Sequence, residues 1–427
     1  MASLAGSKKV TVVGAGWSGL ASAYFLSKSG FDVQVFESHS DAGGMLSTQM
    51  TEHGMVEPAA NAMIANPQIM DVAEEIGVEL LEPLKSSKKR FFFTKGKIKR
   101  WPLDLKKSLH SGLSFIISRG KSPRSGESVY EWGLRIFGKK FTEDVLGTAL
   151  QGIYGSHDLN QLSASLIFSQ FFEKKDKQNK KEKKRSVAPR SGMKEWADKM
   201  MIFLKNRGVN FEFGKKLSSE DINELSRQGL VVIATNAHQA ATLLKDVSSE
   251  QAEILETVPT IDVTSVTRFY PADNYPIQGF GILFSPGEKM HAMGLLLNHC
   301  IFESRSEFSS ETWIFEGDYA SEEEFIEECI AKDRMKLFGR AETCVARYKN
   351  AWKRGLPFYN LKLERLLEEL SLESLKKKNV FLCGNYLGQL SLAKMLSRAE
   401  ELSQQVKSHY RVLAQQSKRQ IIVSEAN

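Results

Sequence analysis

Val10-Thr-Val-Val-Gly14-Ala15-Gly16-Trp17-Ser18-Gly19, followed by Val33-Gln-Val-Phe36-Glu37-Ser38, decides the fold. A β-branched run from Lys9 to Val13 enters a G-x-G-x-x-G turn. Ser18 to Ser29 then carries Leu20, Tyr24 and Leu26 at helical spacing, and Gly30 closes the helix before a second apolar strand. Strand, helix and strand within about thirty residues open a doubly wound parallel sheet. Gly14 permits the tight turn, Gly16 lets backbone approach a pyrophosphate, and Gly19 lets helix and strand pack closely. Glu37 closes the second strand, where a carboxylate bonds ribose hydroxyls and disfavours a 2′-phosphate. Gly14, Ala15, Gly16, Ser18, Gly19, Glu37 and Ser38 are the expected dinucleotide contacts.

Residues 10–27 carry no charge, nearly the length of a membrane-spanning helix. Three glycines and three serines in the nucleotide pattern argue against that reading. The N-terminus lacks the apolar core of a secretory signal, so a cytoplasmic protein is expected. Cys300, Cys329, Cys344 and Cys383 have neither metal-ligand nor redox spacing, so reduced thiols and no metal are expected.

Two further stretches narrow the cofactor to FAD. Asp41-Ala-Gly43-Gly44-Met45 resembles the second flavin motif of FAD-dependent oxidases. Val380-Phe-Leu-Cys-Gly384-Asn385-Tyr386-Leu-Gly388, with Leu390-Ser391-Leu392 opening a helix, is similar to the motif that brings a helix N-terminus to the flavin ring.

Asn66-Pro67 starts another helix, with Asn as N-cap. Residues 84–172 read as mostly helical around a Phe91–Phe93 strand and a Lys95-Gly96 turn. Gly192 to Arg207 and Ser321 to Gly339 are helices, and Leu230 to Ala234 is a buried strand. Residues 263–270, 279–284, 291–297 and 311–315 are antiparallel strands. The fold class is α/β: a discontinuous Rossmann-like FAD-binding domain (1–65, 186–245 and 345–427), an antiparallel-sheet substrate domain (66–83 and 246–344), and an all-helical insert (84–185).

Outside the flavin motifs the chain resembles the protoporphyrinogen oxidase family. Val56-Glu57-Pro-Ala-Ala-Asn61, Arg90-Phe with Gly96 and Pro102, and Gly152-Ile-Tyr154-Gly with Leu162-Ser163 carry the likeness. Gly279-Phe280-Gly281 and Leu356-Pro-Phe-Tyr359-Asn360 continue it in the same order. The resemblance implies an FAD-dependent oxidase of haem biosynthesis that takes six electrons from protoporphyrinogen IX and passes them to O₂. It implies that Arg90 anchors a propionate, that Leu283, Leu296 and Phe315 sandwich the macrocycle, and that Asn61 and Gly152 approach it. Leu217 would meet the adenine end of FAD and Trp352 would pack near the flavin. The chain departs from the family at Asp41, where an Arg is usual, at Ala59-Ala60, and at Lys353. The hairpin expected between Leu217 and Leu230 is shortened.

Three rival readings remain open: coproporphyrinogen as substrate, another amine oxidase or desaturase, and an FAD-binding protein without turnover. An amine oxidase normally needs a second aromatic past Tyr386, and Leu387-Gly-Gln-Leu-Ser has none. The formal charge of +7 conceals an asymmetry: residues 84–185 hold 24 cations against nine acids, a net +15, which leaves −8 for the rest. Asp104 to Arg119 reads as an amphipathic helix with basic flanks, and Glu173 to Arg185 as a solvated lysine run. Together they favour an anionic substrate and peripheral contact with an anionic membrane surface. The lysine run has no interleaved aromatics, so nucleic acid is not expected. Monomer and homodimer are both compatible with the sequence.

Overall fold

The computed structural model describes residues 8–100, 122–154, 158–169, 172, 185–272, 275–388 and 390–425. The predicted basic helix at 104–119 and nearly all of the lysine run lie outside them.

β1 (Lys9–Val13), α1 (Trp17–Lys28) and β2 (Asp32–Phe36) stand where the opening motif predicts. A small hairpin follows, β3 (Gln49–Thr51) and β4 (Gly54–Val56), then β5 (Met63–Ile64). In α2 (Pro67–Ile76) the Asn66 side chain accepts from the Ile69 N–H at 2.7 Å, and Gly77 ends the helix with φ +73°. β6 (Leu80–Leu81) precedes a second hairpin, β7 (Phe91–Thr94) and β8 (Lys97–Arg100), which turns through Lys95 and Gly96, both at positive φ.

Helices α3 (Val129–Phe137), α4 (Gly147–Tyr154) and α5 (Ala164–Phe168) come next. Ser128 and Glu131 cap α3 reciprocally. β9 (Ser186–Pro189), α6 (Met193–Asn206), β10 (Asn210–Glu212), α7 (Ser219–Gln228), β11 (Leu230–Ile233), α8 (Ala237–Leu244) and α9 (Ser249–Glu256) return the chain to the nucleotide layer. The last third holds β12 (Thr260–Tyr270), β13 (Gly281–Phe284), β14 (Gly294–Leu296), β15 (Ser309–Glu316), α10 (Glu323–Phe338) and β16 (Ala346–Pro357). It closes with α11 (Leu361–Glu369), α12 (Leu372–Lys377), β17 (Val380–Leu382) and α13 (Leu392–Glu425).

Two sheets organise these elements. One is five-stranded and parallel, in the order β10-β2-β1-β11-β17, so its strands come from three distant parts of the chain. Its valines and isoleucines are buried, as a sheet covered on both faces requires. The other is seven-stranded, in the order β16-β12-β15-β14-β13-β7-β8. All its pairings are antiparallel except β13 with β7.

The seven-stranded sheet has two unlike faces. Val266, Ile282, Phe284, Leu295, Trp313 and Phe315 pack with Ile326, Cys329 and Ile330 of α10. Beneath the same helix Glu311 is fully buried and accepts bonds from Tyr270 Oη and Trp313 Nε1, both at 2.7 Å, from Tyr275 Oη and from Arg334. Four donors to one carboxylate make burial of the charge tolerable. The opposite face, with Leu283, Leu296, Thr312, Thr267, Ser265 and Trp352, turns toward the nucleotide layer. There Ser265 Oγ and Trp352 Nε1 both donate to the Pro58 carbonyl, at 2.8 and 3.1 Å.

The expected Phe91–Phe93 strand is present as β7, and with β8 it extends the seven-stranded sheet, so the 84–185 segment is not all-helical. β16, twelve residues long and paired along β12, appears where the sequence reading had no strand. Between Leu217 and Leu230 the chain forms α7 rather than a shortened hairpin. Among the described residues no helix is long and apolar enough to cross a membrane, and no cluster of His, Cys, Asp and Glu could hold a metal. Cys300, Cys329 and Cys383 are buried thiols, and Cys344 is half-buried.

Candidate dinucleotide and substrate site

The opening motif packs as three layers of backbone. Gly14 has φ +102° and donates its N–H to the Phe36 carbonyl at 2.7 Å, drawing the turn onto β2. A Cβ at Gly19 would overlap the Gly14 carbonyl oxygen, so this glycine serves helix–strand contact. Gly16 differs: a Cβ there would meet nothing within 4 Å. Its open face is the cradle a pyrophosphate would fill, at the N-terminus of α1. The Gly43 N–H donates to the Ala15 carbonyl at 2.9 Å, and a Cβ on Gly44 would come 3.3 Å from Gly16 Cα. The Gly43-Gly44 loop, with half-buried Met45, thus forms the second wall of that cradle. Ser18 is buried within α1, and its carbonyl accepts from Ser22 Oγ at 2.7 Å.

Glu37 Oε2 accepts the Ala15 N–H at 2.7 Å, and Oε1 accepts the His39 N–H at 2.9 Å and the Ser38 hydroxyl at 3.1 Å. Burial alone would raise this carboxyl, but those donors hold it below the usual carboxylate range. It is therefore ionised at neutral pH, at the tip of β2. The Glu37 carbonyl also takes the Lys215 N–H at 2.9 Å, which brings the segment leading to buried Leu217 alongside.

Asp41 does not leave a negative hole where the family carries an arginine. Lys194, the second residue of α6, lies 2.6 Å from Asp41 and 2.6 Å from Asp198. The cation comes from the helix beneath the loop, and no motif flagged Lys194.

The third wall comes from the far end of the chain. A Cβ at Gly384 would run into the Tyr386 ring, and the Asn385 carbonyl accepts from Tyr359 Oη at 2.5 Å. Leu390 is half-buried, and the Ser391 carbonyl takes the Lys394 and Met395 N–H groups, both at 2.9 Å, in the first turn of α13. Trp17, the first residue of α1, donates its indole N–H to the carbonyl of Leu392, the first residue of α13, at 2.8 Å. Two helix N-termini therefore meet beside the open face of Gly16, which suits a dinucleotide whose central diphosphate would lie at one N-terminus and whose flavin ring, which gains negative charge on reduction, would lie near the other. The glycine cradle, the ionised Glu37 and the paired helix ends fit FAD. When bound, FAD supplies the acceptor for a hydride.

Two of the six residues expected to bind substrate fall on the sheet face that turns toward this cradle. Leu283 and Leu296 lie on that face, because Gly294 and Gly281 are their cross-strand partners in β14 and β13. Phe315 does not join them. It stands two residues from Trp313 on β15, 2% exposed, in the cluster under α10. Alternation along the strand turns it to the wrong side of the sheet, so it cannot sandwich a ligand with Leu283 and Leu296. Arg90 is exposed, with its guanidinium 4.9 Å from the centre of the Phe280 ring and no carboxylate partner among the described residues. Gly152 lies on α4, which abuts β13 through the Thr148–Ser285 hydroxyl contact at 3.0 Å. Trp352 is half-buried over Pro58.

Asn61 lines a small polar cavity with Met55, Glu57, Asn298, Ile301, Phe302 and Arg305. Glu57 is 5% exposed and accepts from Thr48 Oγ1 at 2.9 Å and from the Met193 N–H at 2.8 Å, with Arg305 3.6 Å away. Burial pushes its carboxyl up to about 7 against those donors. Asn298, Arg305, Thr312 and Thr267 carried no sequence signal, since none of them lies in a recognisable motif.

Residues 12–76 match the family model described as an NAD(P)-binding Rossmann-like domain. The chain is 23% identical to protoporphyrinogen oxidase 2, chloroplastic/mitochondrial, of Arabidopsis thaliana, over 91% of this chain and 92% of that protein. It is 26% identical to coproporphyrinogen III oxidase of Staphylococcus aureus over 53% of this chain and 57% of that protein. A solved structure from Exiguobacterium sp. 255-15, provisionally named a protoporphyrinogen oxidase, superposes with a TM-score of 0.72 at 15% identity, covering 94% of this chain and 98% of that one. That likeness establishes the shared fold. With the flavin cradle and near full-length relatives together, the chain is an FAD-dependent oxidoreductase similar along its length to protoporphyrinogen oxidases.

Proposed function

We propose that the protein dehydrogenates protoporphyrinogen IX to protoporphyrin IX, with O₂ as the final acceptor. The observation that carries this reading is the length of the match: the plant enzyme aligns across its substrate half as well as its nucleotide half. Arg90, free of carboxylate partners among the described residues and stacked on Phe280, suits bidentate capture of a propionate. Leu283 and Leu296 offer an apolar wall to the macrocycle, with Asn61 at its edge and the backbone at Gly152 opposite. Trp352 would pack near the flavin.

The test is anaerobic. Purified yellow protein mixed with protoporphyrinogen should bleach and then recover colour in air; a flavin that stays oxidised would end the proposal. Arg90→Ala should raise KM about tenfold or more with FAD content unchanged, the loss of one charge-assisted pair.

Coproporphyrinogen III is the second reading, favoured by the Staphylococcus aureus relative and by the exposed cations Lys89, Lys97, Lys99 and Arg100 around Arg90. Two further propionates would find partners there. The ratio of kcat/KM for the two porphyrinogens decides between them. The same hairpin is proposed to rest on an anionic membrane surface, which sedimentation with anionic and neutral vesicles would check.

A further inference from the structure

Three parts of the chain meet at Tyr359. Its side chain is 1% exposed, and its hydroxyl donates to the Asn385 carbonyl at 2.5 Å. Its own carbonyl accepts the Ser163 N–H, from the start of α5, at 3.0 Å. On either side, Phe358 donates its N–H to the Pro259 carbonyl at 2.8 Å, just before β12, and Leu361 donates to the Gln161 carbonyl at 2.9 Å. The Tyr154 ring, at the end of α4, lies 5.5 Å from the Tyr359 ring between centres. Backbone and ring are thus fixed by the long sheet and by the helical lobe α3–α5, while the hydroxyl reaches the nucleotide layer. Burial pushes that hydroxyl well above its ordinary pKa, so it stays a donor across the neutral range.

The turn that receives this bond borders the dinucleotide cradle. Cβ atoms built on Gly14 and on Gly384 would both meet Thr235, at 3.4 and 3.1 Å, just past the end of β11. The turn after β17 therefore abuts the turn after β1, at the carboxyl ends of neighbouring parallel strands, where such a sheet takes its dinucleotide. Asn385 to Leu387 form a single 3₁₀ turn, closed by the Leu387 N–H on the Gly384 carbonyl at 3.2 Å. So short a turn has little bonding of its own, and a bond from outside does much to set its shape. We infer that Tyr359 is a positioning residue for FAD, whose hydroxyl fixes the Gly384–Asn385 turn as a wall of the cradle and makes cofactor binding depend on docking of the helical lobe. This role rests on FAD binding and is independent of which porphyrinogen, if any, the protein oxidises.

The experiment compares wild-type protein with Tyr359→Phe, which loses only the hydroxyl, and with Tyr270→Phe, which loses a similarly buried hydroxyl bond, to Glu311 under α10. Tyr359→Phe should raise the Kd for FAD about five- to tenfold and change the visible circular dichroism of the bound flavin. Tyr270→Phe should lower the thermal midpoint and leave both flavin readings at wild-type values. A measurement on wild type needs no substitution: adding FAD to the apoprotein should slow hydrogen exchange at the Ser163 amide, which bonds the Tyr359 carbonyl. Wild-type affinity and dichroism in Tyr359→Phe would overturn the inference. So would an equal loss of affinity in both variants, which marks general destabilisation, and Ser163 exchange indifferent to FAD would overturn the dependence on docking.

Discussion

Lys194 joins Asp41 and Asp198 at 2.6 Å each, so one ammonium ties the Gly43-Gly44 loop to the first turn of α6. Asp41 also receives the Ala42 N–H at 2.8 Å, and the lysine holds its carboxyl below the usual range. The groups are partly exposed, which limits the pair to about 1 kcal/mol. Lys194→Ala should therefore weaken FAD binding by about two- to fivefold without unfolding the protein. Titrating apoprotein against flavin fluorescence would show it, and an unchanged Kd would mean the clamp does not set the loop.

Two glycines of one motif should fail in different ways. Gly19→Ala forces a methyl into the Gly14 carbonyl and should abolish soluble, folded protein. At Gly16 a methyl meets no protein atom, so the apoprotein of Gly16→Ala should melt where wild type does. Its affinity for FAD should nevertheless fall about tenfold or more, because the methyl stands where the pyrophosphate must lie. Calorimetry of the apoprotein beside a flavin titration separates the two effects.

The sheet divides its two faces between stability and binding. Phe315→Ala empties a site in the core under α10 and should cost about 3–5 kcal/mol, leaving KM of the surviving protein near wild type. Leu283→Ala should do the reverse, raising KM with a smaller loss of stability, because Leu283 is only half-buried on the cleft face. Urea midpoints and KM measured on both variants would expose an exchange of these roles.

Glu57 gives stability a pH dependence of definite sign. Its carboxyl titrates near 4.5 in the unfolded chain and near 7 when folded, so the folded state binds more protons between those values. Stability contributed by Glu57 should fall as pH rises from about 5 to 7, by up to about 3 kcal/mol. Glu57→Gln removes the titration and should flatten that slope. Chemical denaturation at pH 5 and pH 7.5 would check it; parallel slopes in the two proteins would exclude Glu57 as the source.

The nucleotide half was legible in sequence because its chemistry is local. Gly14, Gly16, Gly19 and Glu37 lie within one strand–helix–strand unit, and their spacing is dictated by the turn they make. The substrate half was harder because its order arises across strands. β16 carries Arg347, Lys349, Lys353 and Arg354 among few apolar residues, so no alternation betrays it; pairing with β12 supplies what periodicity lacks. Leu283, Leu296 and Phe315 all look like core residues in sequence, and only the register of β13, β14 and β15 tells which side each faces. Glu311 and Arg334 resemble surface charges until the fold buries them together. Lys194 escaped notice because it compensates for Asp41 from more than 150 positions away.

The parallel sheet has a consequence for how the protein matures. Its centre forms from residues 9–36, yet the strand that completes it, β17, begins at Val380, and the bond from Trp17 to Leu392 spans 375 residues. Contacts of such long range form late and slowly. A ribosome-bound chain therefore cannot assemble the flavin cradle until its final segment has emerged. Acquisition of yellow colour should accordingly mark the end of folding, and loss of the last helix should abolish cofactor retention before it abolishes secondary structure.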